Sequence, residues 1–214
     1  MAKTWSADNP KAALMDRKRA VIVGAAMEAF LDAGYAEASV NQIAADAGVS
    51  IKTLYRHFES KDDLFSAVMQ AACGNIAGEE PEPPPPWYDE PPATALALAG
   101  EEYLSHALSR EQLALYQVVT RDSRRFPEVG RRYQEEVVGG AAGKFGGYLD
   151  LWAAREGWTI RDKTAASQAF AALLKAGVFD EALQGLHTPT PSEITERAGV
   201  AARRMHILLG AGCF

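Results

Sequence analysis

Between residues 17 and 33, apolar side chains return as Val21, Ile22, Ala25, Ala26, Ala29 and Phe30, the spacing of a helix with one buried stripe. Gly34 closes that run. Ser39, with Gln42 three residues on, forms a capping box that opens a short helix whose Ile43, Ala44 and Ala47 share a face. Gly48 then supplies the positive φ of a tight helix-to-helix turn, Val49 is a small apolar plug, and Ser50 caps a second short helix. At about 100° per residue, Ile51, Leu54 and Phe58 fall to one side of that helix while Lys52, Thr53 and Arg56 point away. Tyr55 and His57 lie on its flanks. Ser60 with Asp63 starts a further helix on Leu64, Phe65, Val68 and Met69, running to about Cys73.

The stretch EEPEPPPPWYDEPP, residues 79–92, cannot be helical, because proline lacks the N–H and clashes with the preceding turn. It reads as a stiff spacer, with Trp87 and Tyr88 covering a core or the end of a pocket. Only helices follow. Leu96, Leu98, Tyr103 and Leu104 give one; a Ser109–Gln112 capping box opens another; Pro127 stands at the first position of a third. Gly139, Gly140, Gly143, Gly146 and Gly147 weaken or bend the next, leaving close helix packing and room for a ligand as open alternatives. Residues 161–186 read as one long helix, apolar on most of its circumference, which asks for cover from another chain. A capping box of Thr190 and Glu193 with Pro191 opens the last helix, on Ile194, Ala198, Ala201, Ala202, Met205, Leu208 and Leu209.

The fold class is therefore all-α. The chain divides into a mobile N-terminal arm (1–16), a helical head (17–75), a proline-rich linker (76–92) and a helical body (93–214).

Charge narrows the function. A net charge of −6 excludes a general polyanion binder, so any nucleic-acid contact has to be local. Lys11, Arg17, Lys18, Arg19, Lys52, Arg56 and Lys61 alternate with Asp16, Asp46, Glu59, Asp62 and Asp63, which predicts few phosphate contacts and a shallow salt dependence. Arg121, Arg124, Arg125, Arg131 and Arg132, interleaved with Asp122, Glu128, Glu135 and Glu136, read as a salt-bridged solvated face. Cys73 and Cys213 form no disulfide framework or metal spacing. The four histidines, His57, His106, His187 and His206, give no metal motif, and the hydrolase, protease and redox signatures are absent; GAAGKF is no phosphate loop. The expectation is no catalytic residue, no metal, no cofactor and no enzyme. Without a leader or an apolar run of about 18 residues, the chain reads as soluble and cytoplasmic, with no membrane partner.

The segment AADAGVSIKTLYRHFESKDDL, with AFLDAGY before it, closely resembles the DNA-binding domain of the TetR family of bacterial transcriptional regulators. The likeness covers about 50 residues and rests on Gly48, Val49, Ser50, Leu54, Tyr55, His57, Phe58, Lys61 and Leu64 together; an arginine-rich segment leading into FPE extends it weakly. The resemblance implies an N-terminal three-helix helix-turn-helix domain followed by a helical-bundle ligand-binding and dimerisation domain. It implies a homodimer on a near-palindromic double-stranded DNA operator, acting as a repressor that a small-molecule effector releases. Residues carried to the DNA are Ser39, Val40, Asn41, Ser50, Ile51, Lys52, Thr53, Tyr55, Arg56, His57 and Lys61. For Lys61, a cation in the first turn opposes the helix dipole, which favours a phosphate contact over a structural role. In some members such an N-terminal arm touches the minor groove, a contact that Lys11, with Arg17 to Arg19 at the start of the first helix, would make here. Candidate pocket liners are Trp87, Tyr88, Tyr103, His106, Tyr116, Phe126, Trp152 and Phe170. The candidate dimer interface is Ala166, Phe170, Leu173, Leu174, Val178, Ala198, Ala202, Met205 and Leu209. The competing readings are a helical enzyme or carrier with an accessory DNA-binding head, and an interaction module acting through prolines 83–86.

Overall fold

The computed structural model describes residues 10–72 and 85–214, and every regular element in them is helical. Cys73 and the first part of the proline run, to residue 84, lie outside the described residues, as do the first nine residues and the side chain of Lys11. The chain forms two compact units, one of 1–81 with 114–137 and the other of 82–113 with 138–214. The head expected over 17–75 is thus grouped with a segment from the expected body.

In the first unit, helix α1 spans Pro10–Glu37, so the expected arm is already helical from residue 10. Good helix formers (Lys11, Ala12, Ala13 and Leu14) carry the helix back that far. Its buried stripe is Ile22, Val23, Ala26 and Phe30, whereas Val21 is 48% exposed. The apolar run around residue 22 allows two phases one residue apart, and packing selected the later one. Within α1, Gly34 breaks the helical path at φ 81°, ψ 175°. A Cβ there would sit 1.3 Å from Arg121 Nη2.

Helices α2 (Val40–Asp46), α3 (Ile51–His57) and α4 (Lys61–Ala72) follow. Ser39 Oγ accepts from Gln42 N–H at 3.4 Å and Ser50 Oγ from Thr53 N–H at 3.1 Å. Gly48 takes φ 65° between the two helices, the conformation a side chain resists. A single apolar core joins Ile22 and Phe30 of α1, Ile43 of α2, Leu54 of α3, Phe58 just beyond it, and Leu64, Phe65 and Met69 of α4. Leu115, Val118 and Val119 of α6 (Arg110–Asp122) and Val129 of α7 (Pro127–Tyr133) complete it.

The second unit opens on a 3-10 turn, Pro86–Asp89, where the proline run was expected to bar any helix; Pro at the first position of a short turn removes no hydrogen bond. Helix α5 (Pro92–Ala107) packs chiefly on α11 (Pro191–Gly210). A π turn over Gln134–Val138 leads into α8 (Gly139–Glu156), which packs on α9 (Lys163–Lys175). The long helix expected over 161–186 is broken: Gly177 takes φ 81°, and α10 (Val178–Leu183) restarts after it. The core contains Trp87, Leu96, Leu104, Leu149, Trp152, Phe170, Leu174 and Met205. Among the described residues, no helix is long and apolar enough to cross a membrane.

Candidate nucleic-acid interface

Helix α3 is held from below and free above. Leu54 and Phe58 are buried, while Tyr55 is 51% exposed and Ile51 38% exposed; Lys52 and Arg56 are exposed as well. Ile51 therefore belongs to the outward surface, not to the anchoring face where its angle placed it. At the first turn of a seven-residue helix, nothing stands over it. Thr53 is half-buried, and its hydroxyl lies 2.9 Å from Ser50 Oγ, so the cap shares its hydrogen-bonding capacity. Ser39, Asn41 and Ser50 are exposed beside it, and Val40 packs partly on the core.

His57 sits where the cations converge. Burial, then Arg56, Arg19 and Lys18, hold its pKa below the ordinary imidazole value, with Asp16 opposing. Its Nε2 is buried with no hydrogen-bond partner among the described residues. The Arg19 guanidinium lies 4.5 Å from the centroid of the Phe58 ring, which brings α1 beside the end of α3. Arg17, Lys18 and Arg19 are helical residues of α1, within the span expected for the first helix. This cluster was only half legible: the basic run was visible, but its closeness to His57 is a tertiary fact.

Lys61 is employed differently from its expected role. Its Nζ donates to Ala36 O at 3.1 Å and lies 4.9 Å from the centroid of the Tyr35 ring; burial lowers its pKa. The ammonium caps the end of α1, which answers why a cation tolerates the start of α4. Nearby, Asp122 Oδ2 accepts from Tyr35 N–H at 2.6 Å and from Ala36 N–H at 3.3 Å, and Arg121 Nη2 donates to Ala33 O at 3.2 Å. Tyr35 Oη donates to Asp62, and burial with that carboxylate pushes its pKa up. Asp122 is buried, unlike the solvated residue its surroundings in sequence suggested. Part of that face is paired as expected: Arg131 bridges Glu128 and Glu135, and Arg132 reaches Glu128 and Ser66. These long-range clamps carry no signature in sequence.

The eight candidate pocket residues separate. Tyr116 and Phe126 belong to the first unit, where Phe126 packs against its core. Trp87, Trp152 and Phe170 are buried in the second unit's core, with Tyr103 packed against it and Tyr88 in edge contact with Tyr148, while His106 is exposed on α5. A groove of about 460 Å³ opens elsewhere in that unit, over Leu104, Leu173, Val178, Ile194 and Val200 with Glu196, Arg197 and Arg204 at its rim, and none of the eight lines it.

The candidate dimer residues also need correction. Ala166, Phe170, Leu174, Val178, Ala198, Ala202, Met205 and Leu209 are all buried within one subunit, and only Leu173 is partly open. Helical periodicity marked the apolar stripe correctly, but α5 and the neighbouring helices cover it, so it is not available to a partner.

Comparison with known proteins gives consistent matches. Residues 22–68 match the family described as bacterial regulatory proteins of the tetR family, and residues 94–211 match the C-terminal domain of AefR-like transcriptional repressors. The HTH-type transcriptional activator FasR of Mycolicibacterium smegmatis is 44% identical over 61 residues, which span 28% of this chain and 28% of that protein. Among solved structures, the flavonoid-responsive regulator FrrA is similar at a TM-score of 0.71 and 25% identity, covering 88% of this chain and 95% of that one. A TetR family transcriptional regulator from Pseudomonas syringae is similar at a TM-score of 0.58 and 28% identity, covering 89% of this chain and 95% of that one.

Proposed function

Because this chain belongs to the TetR family of bacterial regulatory proteins, and is a transcriptional regulator as that family is, we propose that it acts in the cytoplasm as a homodimeric repressor. Two copies of α3 enter successive major grooves of a near-palindromic operator, about 34 Å apart, and a small-molecule effector in the second unit releases them. The observation that carries this reading is the outward face of α3: Lys52, Tyr55 and Arg56 stand exposed on a helix locked from behind by Leu54 and Phe58. Lys52 and Thr53 meet base edges. Tyr55, Arg56 and His57, with the start of α2 at Ser39, Val40 and Asn41, hold phosphates. Lys61 supports the head from within.

Both heads must fit at once, so a small change in their separation lowers affinity steeply, and effector and operator affinities are linked. Repression is favoured by the likeness of the C-terminal domain to AefR-like repressors, whereas the named activator FasR is similar only over 61 residues. FrrA, named for its response to flavonoids, supports an effector of low molecular weight.

The second copy takes the outer side of α11, where Gly199, Arg203 and Ile207 recur every four residues and Ile207 is 69% exposed. Ala172 and Ala176, exposed near the end of α9, extend that surface. Sedimentation of Ile207→Glu should then show monomers of unchanged helicity; a persisting dimer would move the interface.

Selection of bound duplexes from a random pool tests the whole reading. An enriched inverted repeat is expected, and a pool that stays random after repeated rounds would sink the proposal.

A further inference from the structure

We infer that the effector is a neutral, planar aromatic molecule bearing a hydrogen-bond acceptor, and that it inserts beside Trp152 in the aromatic core of the second unit, taking the indole N–H. This rests on the reading of the chain as an effector-controlled regulator.

Trp152 is 0% exposed, and its Nε1 has no hydrogen-bond partner among the described residues. Buried donors are almost always paired, and the neighbouring Trp87 obeys the rule, donating from Nε1 to Glu102 Oε2 at 2.8 Å. The unpaired indole is surrounded by rings. Tyr148 lies 6.0 Å away between centroids, Phe145 6.3 Å and Trp87 6.5 Å, with Phe145 in turn stacked on Phe170 at 5.0 Å. A flat aromatic guest replaces such edge and face contacts with its own at little cost. Its oxygen supplies the acceptor that the core lacks. Glu102 places a carboxylate at the edge of the cluster and helps to raise the Tyr148 phenol's pKa, so an anionic guest is disfavoured.

The wall that must yield is α8, which carries both Phe145 and Tyr148. Two of its glycines do not serve close packing: a Cβ at Gly143 or Gly147 would meet nothing within 4 Å, and even at the buried Gly146 it would meet only Lys163 Cβ at 3.9 Å. Helical glycines without a packing reason lower the cost of local opening. A π turn immediately precedes them. A guest here therefore makes dominant an open form that the sequence keeps accessible.

The groove over Leu104 and Ile194 is the natural competitor, but no buried polar atom among the described residues is left unpaired in it. His187 and Glu193 at its rim are paired at 3.1 Å, and Arg197 donates to Ala176 O at 2.7 Å.

The test uses the full chain in equilibrium dialysis against flavone and against 2-phenylnaphthalene, which keeps the shape and loses the oxygens. Flavone should bind roughly tenfold more tightly than the hydrocarbon, and Trp152→Phe, which keeps a ring and removes the N–H, should abolish that preference. Gly143→Ala with Gly147→Ala should weaken both ligands severalfold. The indole N–H resonance of Trp152 in the unsubstituted protein provides a check independent of folding defects, and it should move on addition of flavone. No flavone binding, an unchanged preference in Trp152→Phe, an unmoved resonance, or unaltered affinities in the alanine pair would each overturn the inference. Retained selection of an inverted repeat in those same preparations would show that the parent reading survives; its loss would show that the parent reading fails.

Discussion

The two units close by different means. The first ties distant segments with directional polar contacts: Asp122, buried, holds the N–H groups of Tyr35 and Ala36 from 87 and 86 positions away, while Lys61 and Arg121 hold carbonyls of the same corner. The second closes on apolar and aromatic surface, with α5 laid on α11, and leaves the Trp152 indole unpaired. Directional bonds fix one geometry, whereas apolar packing of roughly constant volume tolerates rearrangement. On the function proposed above, a reading surface needs the first property and an effector chamber the second.

The sharpest way to break that contrast is Asp122→Ala. It strands two N–H groups beside a buried site and should cost roughly 2–4 kcal/mol in urea unfolding. A cost below about 0.5 kcal/mol, within the range of an ordinary surface change, would mean that the corner is held by packing alone. Next in size come the exposed residues of α3. Lys52→Ala should relax base preference by about 1–3 kcal/mol, whereas Tyr55→Ala should weaken all duplexes alike, and neither should move the thermal midpoint; competition binding against scrambled operator separates the two.

Smaller still is the gain from filling open glycines. Gly143→Ala and Gly147→Ala should each raise the unfolding free energy measured in urea by up to about 1 kcal/mol, since no atom stands in the way. A loss would show that α8 is as tightly fitted as the first unit.

The smallest effect is titration of His57. Its folded pKa is lowered, so the unfolded chain binds more protons: stability is full above the ordinary value of about 6.5 and declines as pH falls toward the folded pKa. Phosphates favour the charged ring, so operator affinity should rise over that same window. Unfolding and binding measured on either side of pH 6.5, compared with His57→Gln, check both signs.

Local chemistry was legible from the sequence. Ser39, Ser50 and Thr190 cap where their spacing predicted, because a cap involves only residues three apart, and Gly48 turns the chain for the same kind of reason. Periodicity located apolar faces but not their cover. It could not tell that Ala198 and Met205 serve their own subunit, that Val21 lies on the wrong side of the stripe, or that Gly177 interrupts α9. Asp122 and Lys61 were misread for a related reason: each answers to a partner dozens of residues away, and charge patterning sees only neighbours.

Position 34 calls for glycine through its backbone: φ 81° with ψ 175° is a conformation that side chains resist, and a methyl there would in addition have to displace the movable end of the Arg121 side chain. A side chain at residue 34 would therefore disturb the first unit while leaving the second unit's core untouched. On the function proposed above, such a variant would lose its duplex and keep its small molecule.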